Sequence, residues 1–132
     1  MLSVEVPETA LVIRFSPWTA PNILRRAELA HRRRGEYTAS VFADLKVATE
    51  RDDDLVRRLY VAAELHEIDP EQNLKYDRCA RARELLGLGF VFMKDEDEEE
   101  AAEHYSVRLG DSPTLEDVER FLSVFTRERR PQ

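Results

Sequence analysis

The spacing of hydrophobic and polar positions changes several times along the chain, and each change marks an element. Leu11, Ile13 and Phe15 alternate with Val12, Arg14 and Ser16 before Ser16-Pro17 ends the run, the period of a short strand buried mostly on one face. Thr19, with Pro21 in the first turn, opens a helix that Gly35 closes after an arginine-rich last turn. Ala20, Ile23, Leu24, Ala27 and Ala30 form its inner face. From Tyr37 the period returns to two: Tyr37, Ala39, Val41 and Ala43, with Thr38 and Ser40 between, read as a second strand, although a helix through Leu45 fits almost as well. A strand, a helix and a returning strand predict a parallel βαβ unit with a right-handed crossover.

Three helices and a hairpin follow. Asp52, Asp53 and Asp54 place negative charge where a helix N-terminus favours it, and Leu55, Val56, Leu59, Tyr60 and Ala63 continue a helix over 53–67 until Asp69-Pro70 breaks it. The spacing of Tyr76, Cys79, Ala82, Leu85 and Leu86 predicts a helix over 72–86, ended by Gly87 and Gly89. Phe90 to Met93 and Tyr105 to Leu109 read as the strands of one hairpin. Ser112-Pro113-Thr114 starts a last helix with Leu115, Val118, Phe121, Leu122 and Phe125 along one face, and its end, RERRPQ, is expected to fray. The pattern predicts one α+β domain over 1–132, ordered β-α-β-α-α-β-β-α, with helices packed on one face of a small mixed sheet.

Composition narrows the class. A chain of 132 residues, 42% hydrophobic and 36% charged, is long enough for one core without staples and carries a strongly ionic surface. The single cysteine, Cys79, excludes an intramolecular disulfide, and no run approaches the length of a membrane span. The first residues lack the basic start of a secretory signal, so a cytoplasmic protein with no membrane partner is expected. Of the 20 basic residues 17 are arginine, a bias that hints at a GC-rich, bacterial-type coding sequence.

Charge then points to candidate surfaces. Lys94 through His104 holds Asp95, Glu96, Asp97, Glu98, Glu99, Glu100 and Glu103 against the one cation Lys94, a net of −6 in a chain that nets −7, so nearly all the excess acidity is here. At a hairpin tip it would repel a phosphate backbone and attract a basic protein surface. It has neither the glycine turn nor the alternate spacing of a calcium loop, so no metal is expected there. Trp18 is the candidate short-range anchor, with whichever of Phe90 and Phe92 is exposed. Arg25, Arg26, Arg32, Arg33 and Arg34 make one cationic helix face, and Arg78, Arg81 and Arg83 a second basic stretch. Cys79 lies on an apolar stripe and is expected in the core. His31, His66 and His104 have no zinc-motif spacing, while His104 and Ser106 share a strand face as an imaginable general base and hydroxyl.

The stretch NLKYDRCARARELLGLGFVF, followed by a hairpin and an amphipathic helix, resembles the end of a winged helix-turn-helix domain: recognition helix, entry into the wing, dimerising helix. The resemblance implies DNA contacts from Arg78, Arg81 and Arg83 and a homodimer through the C-terminal helix, although wing tips of that family are basic and this one is acidic. Three functions follow, in order. The first is a non-catalytic accessory or regulatory protein, without cofactor, that recognises a basic partner through the acidic hairpin; the second is a winged-helix DNA-binding regulator; the third is a small enzyme using His104.

Overall fold

The computed structural model describes residues 1–15, 17–47, 49–65, 76–95 and 101–129. In chain order the elements are β1 (Leu2–Ser3), β2 (Leu11–Arg14), α1 (Ala20–Arg34), β3 (Tyr37–Asp44), α2 (Asp52–Leu65), β4 (Tyr76–Arg81), α3 (Ala82–Gly87), β5 (Val91–Lys94), β6 (His104–Gly110), α4 (Leu115–Ser123) and β7 (Thr126–Arg129). The strands form one seven-stranded sheet in the order β1-β5-β6-β3-β2-β4-β7, and every neighbouring pair is antiparallel. The fold is a small α+β domain.

Alternation sorts the strand residues between two cores. On one face Val12, Ala39, Val41, Ala43, Ala80, Phe92, Val107 and Leu109 meet Ile23 and Ala27 of α1, Leu85 of α3, and Val118 and Phe121 of α4. On the other face Leu11, Ile13, Phe42 and Cys79 meet Leu55, Val56, Leu59, Tyr60 and Ala63 of α2. The expectation of helices on one face is thus corrected: α2 covers the second face. A sheet covered on both sides lets adjacent residues all be buried, which is why LVIR of β2 has no exposed position. Arg14, expected to point outward, is only 4% exposed for the same reason.

Three further expectations change. The parallel βαβ unit is not formed, because β2 and β3 pair antiparallel with Ile13 opposite Phe42. Connection length permits a parallel crossover without imposing one, and the antiparallel ladder is the slightly stronger pairing. The helix expected over 72–86 is strand β4 followed by the six-residue α3. Cys79 and Ala80 are buried on opposite faces, and the Tyr76-to-Cys79 spacing mimics a helical step. The helix start is marked instead by Glu84, whose Oε1 accepts from the Arg81 backbone N–H at 2.9 Å. Lastly, Thr126 to Arg129 pair with β4 as an edge strand rather than fraying. The winged-helix-like arrangement of the C-terminal half is therefore not realised, since its recognition helix is largely a strand.

The rest follows the sequence. Gly35 ends α1 at φ 84°, its N–H donating to the His31 carbonyl at 2.8 Å. Thr19 occupies the N-cap of α1 without a side-chain cap bond. At α4 the Thr114 hydroxyl accepts from the Asp117 N–H at 3.3 Å while the Asp117 carboxylate accepts from the Thr114 N–H at 2.8 Å. The Asp69-Pro70 breaker lies outside the described residues. Among the described residues no helix is long and apolar enough to cross a membrane.

Candidate partner-binding surface

Strands β5 and β6 flank the acidic stretch in the sequence, and basic side chains secure the described residues on either side of it. Val91 pairs with Arg108 and Met93 with Ser106, which brings Lys94 and His104 to one end of the sheet. The Lys94 ammonium donates to the carbonyls of Ala101 at 3.3 Å and Ala102 at 3.0 Å and to that of His104, and it lies 4.2 Å from the centre of the Tyr105 ring. One cation thus satisfies three carbonyls where the second strand begins. Two ladder-like bonds reinforce it, His104 N–H to Ala101 at 3.0 Å and Ala43 N–H to the Glu103 carbonyl at 2.8 Å.

The flanking carboxylates are held inside the fold. Asp95, whose side chain is 8% exposed, ion-pairs with Arg34 of α1 at 3.1 Å, so one residue of the cationic helix face answers the first residue of the acidic stretch. Glu103 lies 4.0 Å from Arg58, which also bonds Glu50 at 3.0 Å, Asp44 at 2.5 Å and the Leu45 carbonyl at 3.0 Å. The hydrogen bonds with Glu50, then the one with Asp44, raise the Arg58 pKa above its ordinary value, and Arg58 in turn holds the Glu50 carboxyl below its own. Burial, then the charges of Asp44 and Glu103, pushes the Tyr105 phenol up. Glu96, Asp97, Glu98, Glu99 and Glu100 lie outside the described residues.

The other singled-out residues are spread over the molecule. Trp18 is half-buried in the segment entering α1. Phe90 and Phe92 are both buried, so neither adds an exposed aromatic beside the acidic stretch. Arg78 and Arg81 are on β4 and Arg83 on α3, so they do not form one helix face. Arg81 donates to the Thr9 carbonyl at 3.2 Å, while Arg83 is exposed. His104 and Ser106 do share a face, but both are buried there, His104 against the Phe42 ring at 5.1 Å between centres. Cys79 is buried in the core under α2. The apolar stripe of α4 is used internally through Val118 and Phe121, leaving Leu115 exposed. Among the described residues no cluster of His, Cys, Asp and Glu is arranged to hold a metal.

Sequence reasoning missed one feature of this end of the sheet. Leu45 and Val47, just past β3, are exposed, and a cleft of about 380 Å³ beside them is lined by Thr9, Leu45, Lys46, Arg81 and Arg83. Its basic residues come from sequence positions far apart, joined by the pairing of Leu11 with both Asp44 and Arg81. Comparison with protein-family models, with curated proteins and with solved structures finds no match to this chain.

Proposed function

We propose that the protein is a non-catalytic binding protein that recognises a basic surface through the acidic segment of the β5–β6 hairpin. The observation that carries this reading is the root: Lys94 ties both ends of the segment together, and Asp95 and Glu103 are engaged by Arg34 and Arg58. These ties fix the residues on either side of the run Glu96 to Glu100. Five consecutive carboxylates make a local field that steers a cationic partner over roughly one Debye length, about 8 Å at physiological ionic strength. Burial of His104, Ser106 and Cys79 supports binding over catalysis, because the nucleophile and base that the sequence offers sit within the packed faces of the sheet.

The test is affinity capture from the source lysate with the wild-type chain and a variant with Glu96, Asp97, Glu98, Glu99 and Glu100 changed to Gln or Asn. The proposal expects a partner that the wild type retains at low salt, loses as salt rises, and the variant fails to retain. Equal recovery on both baits would reduce the segment to a solvated connection.

A further inference from the structure

We propose that the cleft where β2 begins and β3 and β4 end is a binding site for a phosphate monoester whose organic part is small and apolar. This site is built without the acidic segment, from Thr9, Leu45, Lys46, Arg81 and Arg83, which line a space of about 380 Å³. Three of these residues are cations and none is a carboxylate, in a chain of net charge −7. The cleft is thus a local reversal of field, attracting an anion where the net charge of the molecule repels one.

The fold shapes the cleft before anything binds. Leu11 pairs with Asp44 on one side and Arg81 on the other, so the ends of β3 and β4 flank the segment that enters β2. That segment clamps the junction of β4 and α3: the Ala82 N–H donates to the Ala10 carbonyl at 3.0 Å, and the Arg83 N–H to the Glu8 carbonyl at 2.9 Å. The backbone beneath Arg81 and Arg83 is therefore fixed, which lowers the ordering cost of binding. Two neighbouring carboxylates are engaged elsewhere, Asp44 with Arg58 and Glu84 with the Arg81 backbone N–H at 2.9 Å.

Each cation keeps donors for an incoming anion. Arg83 is exposed, and its guanidinium makes no hydrogen bond or ion pair among the described residues. Arg81 uses one guanidinium N–H on the Thr9 carbonyl at 3.2 Å and keeps the others. Lys46 pairs with Asp52 at 3.1 Å, but both side chains are exposed, and such a pair exchanges at little cost. Cations arriving from three directions suit the tetrahedral oxygens of a phosphate better than the two oxygens of a carboxylate. Leu45, 39% exposed, gives the cleft its apolar wall. The space equals about twelve waters at roughly 30 Å³ each, more than a bare phosphate occupies. The remainder, against Leu45, is room for the organic group.

Titration of the full chain with phenyl phosphate, followed through the amide chemical shifts, tests the proposal. Saturable shifts are expected at Thr9, Leu45, Lys46, Arg81 and Arg83, with an affinity that falls as salt rises. Arg83→Gln is expected to weaken binding at least roughly tenfold through loss of a charge-assisted hydrogen bond, and Lys46→Gln to weaken it from the other side of the cleft. Arg25→Gln, an exposed arginine of α1 outside the cleft, should bind as the wild type does. Leu45→Ser should bring phenyl phosphate down to the weaker affinity expected of inorganic phosphate. Absence of saturation, shifts centred on other residues, or equal binding by Arg83→Gln and Arg25→Gln overturns the proposal. Inorganic phosphate binding as tightly as phenyl phosphate also overturns it, since the site would then take free phosphate alone, and benzoate binding as tightly would remove the preference for a phosphoryl group.

Discussion

Arg14 lies on the face of the sheet under α1 and α4, 4% exposed, where its Nη1 donates to the Ser40 carbonyl at 2.6 Å and its guanidinium lies 5.8 Å from the centre of the Phe121 ring. Its Nε has no hydrogen-bond partner, and no described carboxylate pairs with it. The bond has a local cause: β3 runs from Tyr37 to Asp44 while β2 stops at Arg14 before Pro17, so the first half of β3 outruns its neighbour and the arginine side chain serves the Ser40 carbonyl. Burial, and secondarily the charge of Arg26, brings the Arg14 pKa down to about 10, which corresponds to about 3 kcal/mol of unfavourable energy for the charged form in the folded state. Arg14→Met removes that penalty. It also leaves the Ser40 carbonyl without this donor, costing about 1–3 kcal/mol, and loses a cation–π contact of about 0.5–1 kcal/mol. The terms nearly cancel, so urea unfolding near neutral pH should place the variant within about 1 kcal/mol of the wild type. A variant destabilised by about 3–5 kcal/mol would refute the reasoning, since that is the cost of breaking a compensated buried ion pair. The pH dependence supplies a second check. A base whose folded pKa lies below its unfolded one releases its proton more readily when folded, so wild-type stability relative to Arg14→Met is flat below about pH 10 and rises above it.

Two smaller changes test the caps and the hairpin root. Thr114→Ala removes the side-chain cap of α4 and should cost about 1 kcal/mol in thermal or urea unfolding. The hydrogen bond from the Thr114 N–H, then the one from its hydroxyl, holds the Asp117 carboxyl below its ordinary pKa, so this contribution is present above the unfolded value and lost as pH falls through the folded one; Asp117→Asn should flatten the acid limb of the stability profile. Lys94→Met leaves the carbonyls at the hairpin root without their shared donor, and hydrogen exchange at the His104 and Ala43 amides should quicken while the amides of α4, which packs on the other face of the sheet from His104, keep their protection.

The elements that the chain made legible are those whose hydrophobic period is undiluted. Ala20, Ile23 and Ala27 of α1, Leu55 and Leu59 of α2, and Val118 and Phe121 of α4 keep helical spacing because each helix buries one stripe. Tyr105, Val107 and Leu109 keep a period of two against a face that ends in the small residue Ser106 and the ion-paired Arg108. The signal failed where burial is two-sided. β4 places Cys79 and Ala80 in different cores, so no alternation survives, and its neighbours Ala82, Leu85 and Leu86 pull a pattern reading toward helix. β7, Thr-Arg-Glu-Arg, has no apolar residue at all: its place at the edge rests on ladder hydrogen bonds to β4, which composition does not encode. The second covered face was written in the runs Leu11 to Phe15 and Val41 to Ala43, apolar on both parities, and in Phe42 above all. For the candidate surface, the acidic stretch was plain in the sequence, whereas the cationic cleft exists only through pairing across β2 and could not be read from any local spacing.

The proposed recognition role of the acidic segment predicts that its charge can be removed without loss of the fold. The described ties at the hairpin root run from Lys94 to backbone carbonyls and from Arg34 and Arg58 to Asp95 and Glu103. The sheet beneath is packed on both faces, through Phe92 and Val107 on one and Phe42 on the other, each fully buried. Under the proposed function, replacing the five carboxylates by amides removes the recognition element and relieves the repulsion among five like charges in sequence. The neutralised chain should unfold at the same or slightly higher denaturant concentration than the wild type while losing its salt-dependent association. A marked loss of stability would mean that the carboxylates themselves hold the hairpin, and the segment would then be a structural element whose binding role had been inferred from its charge alone.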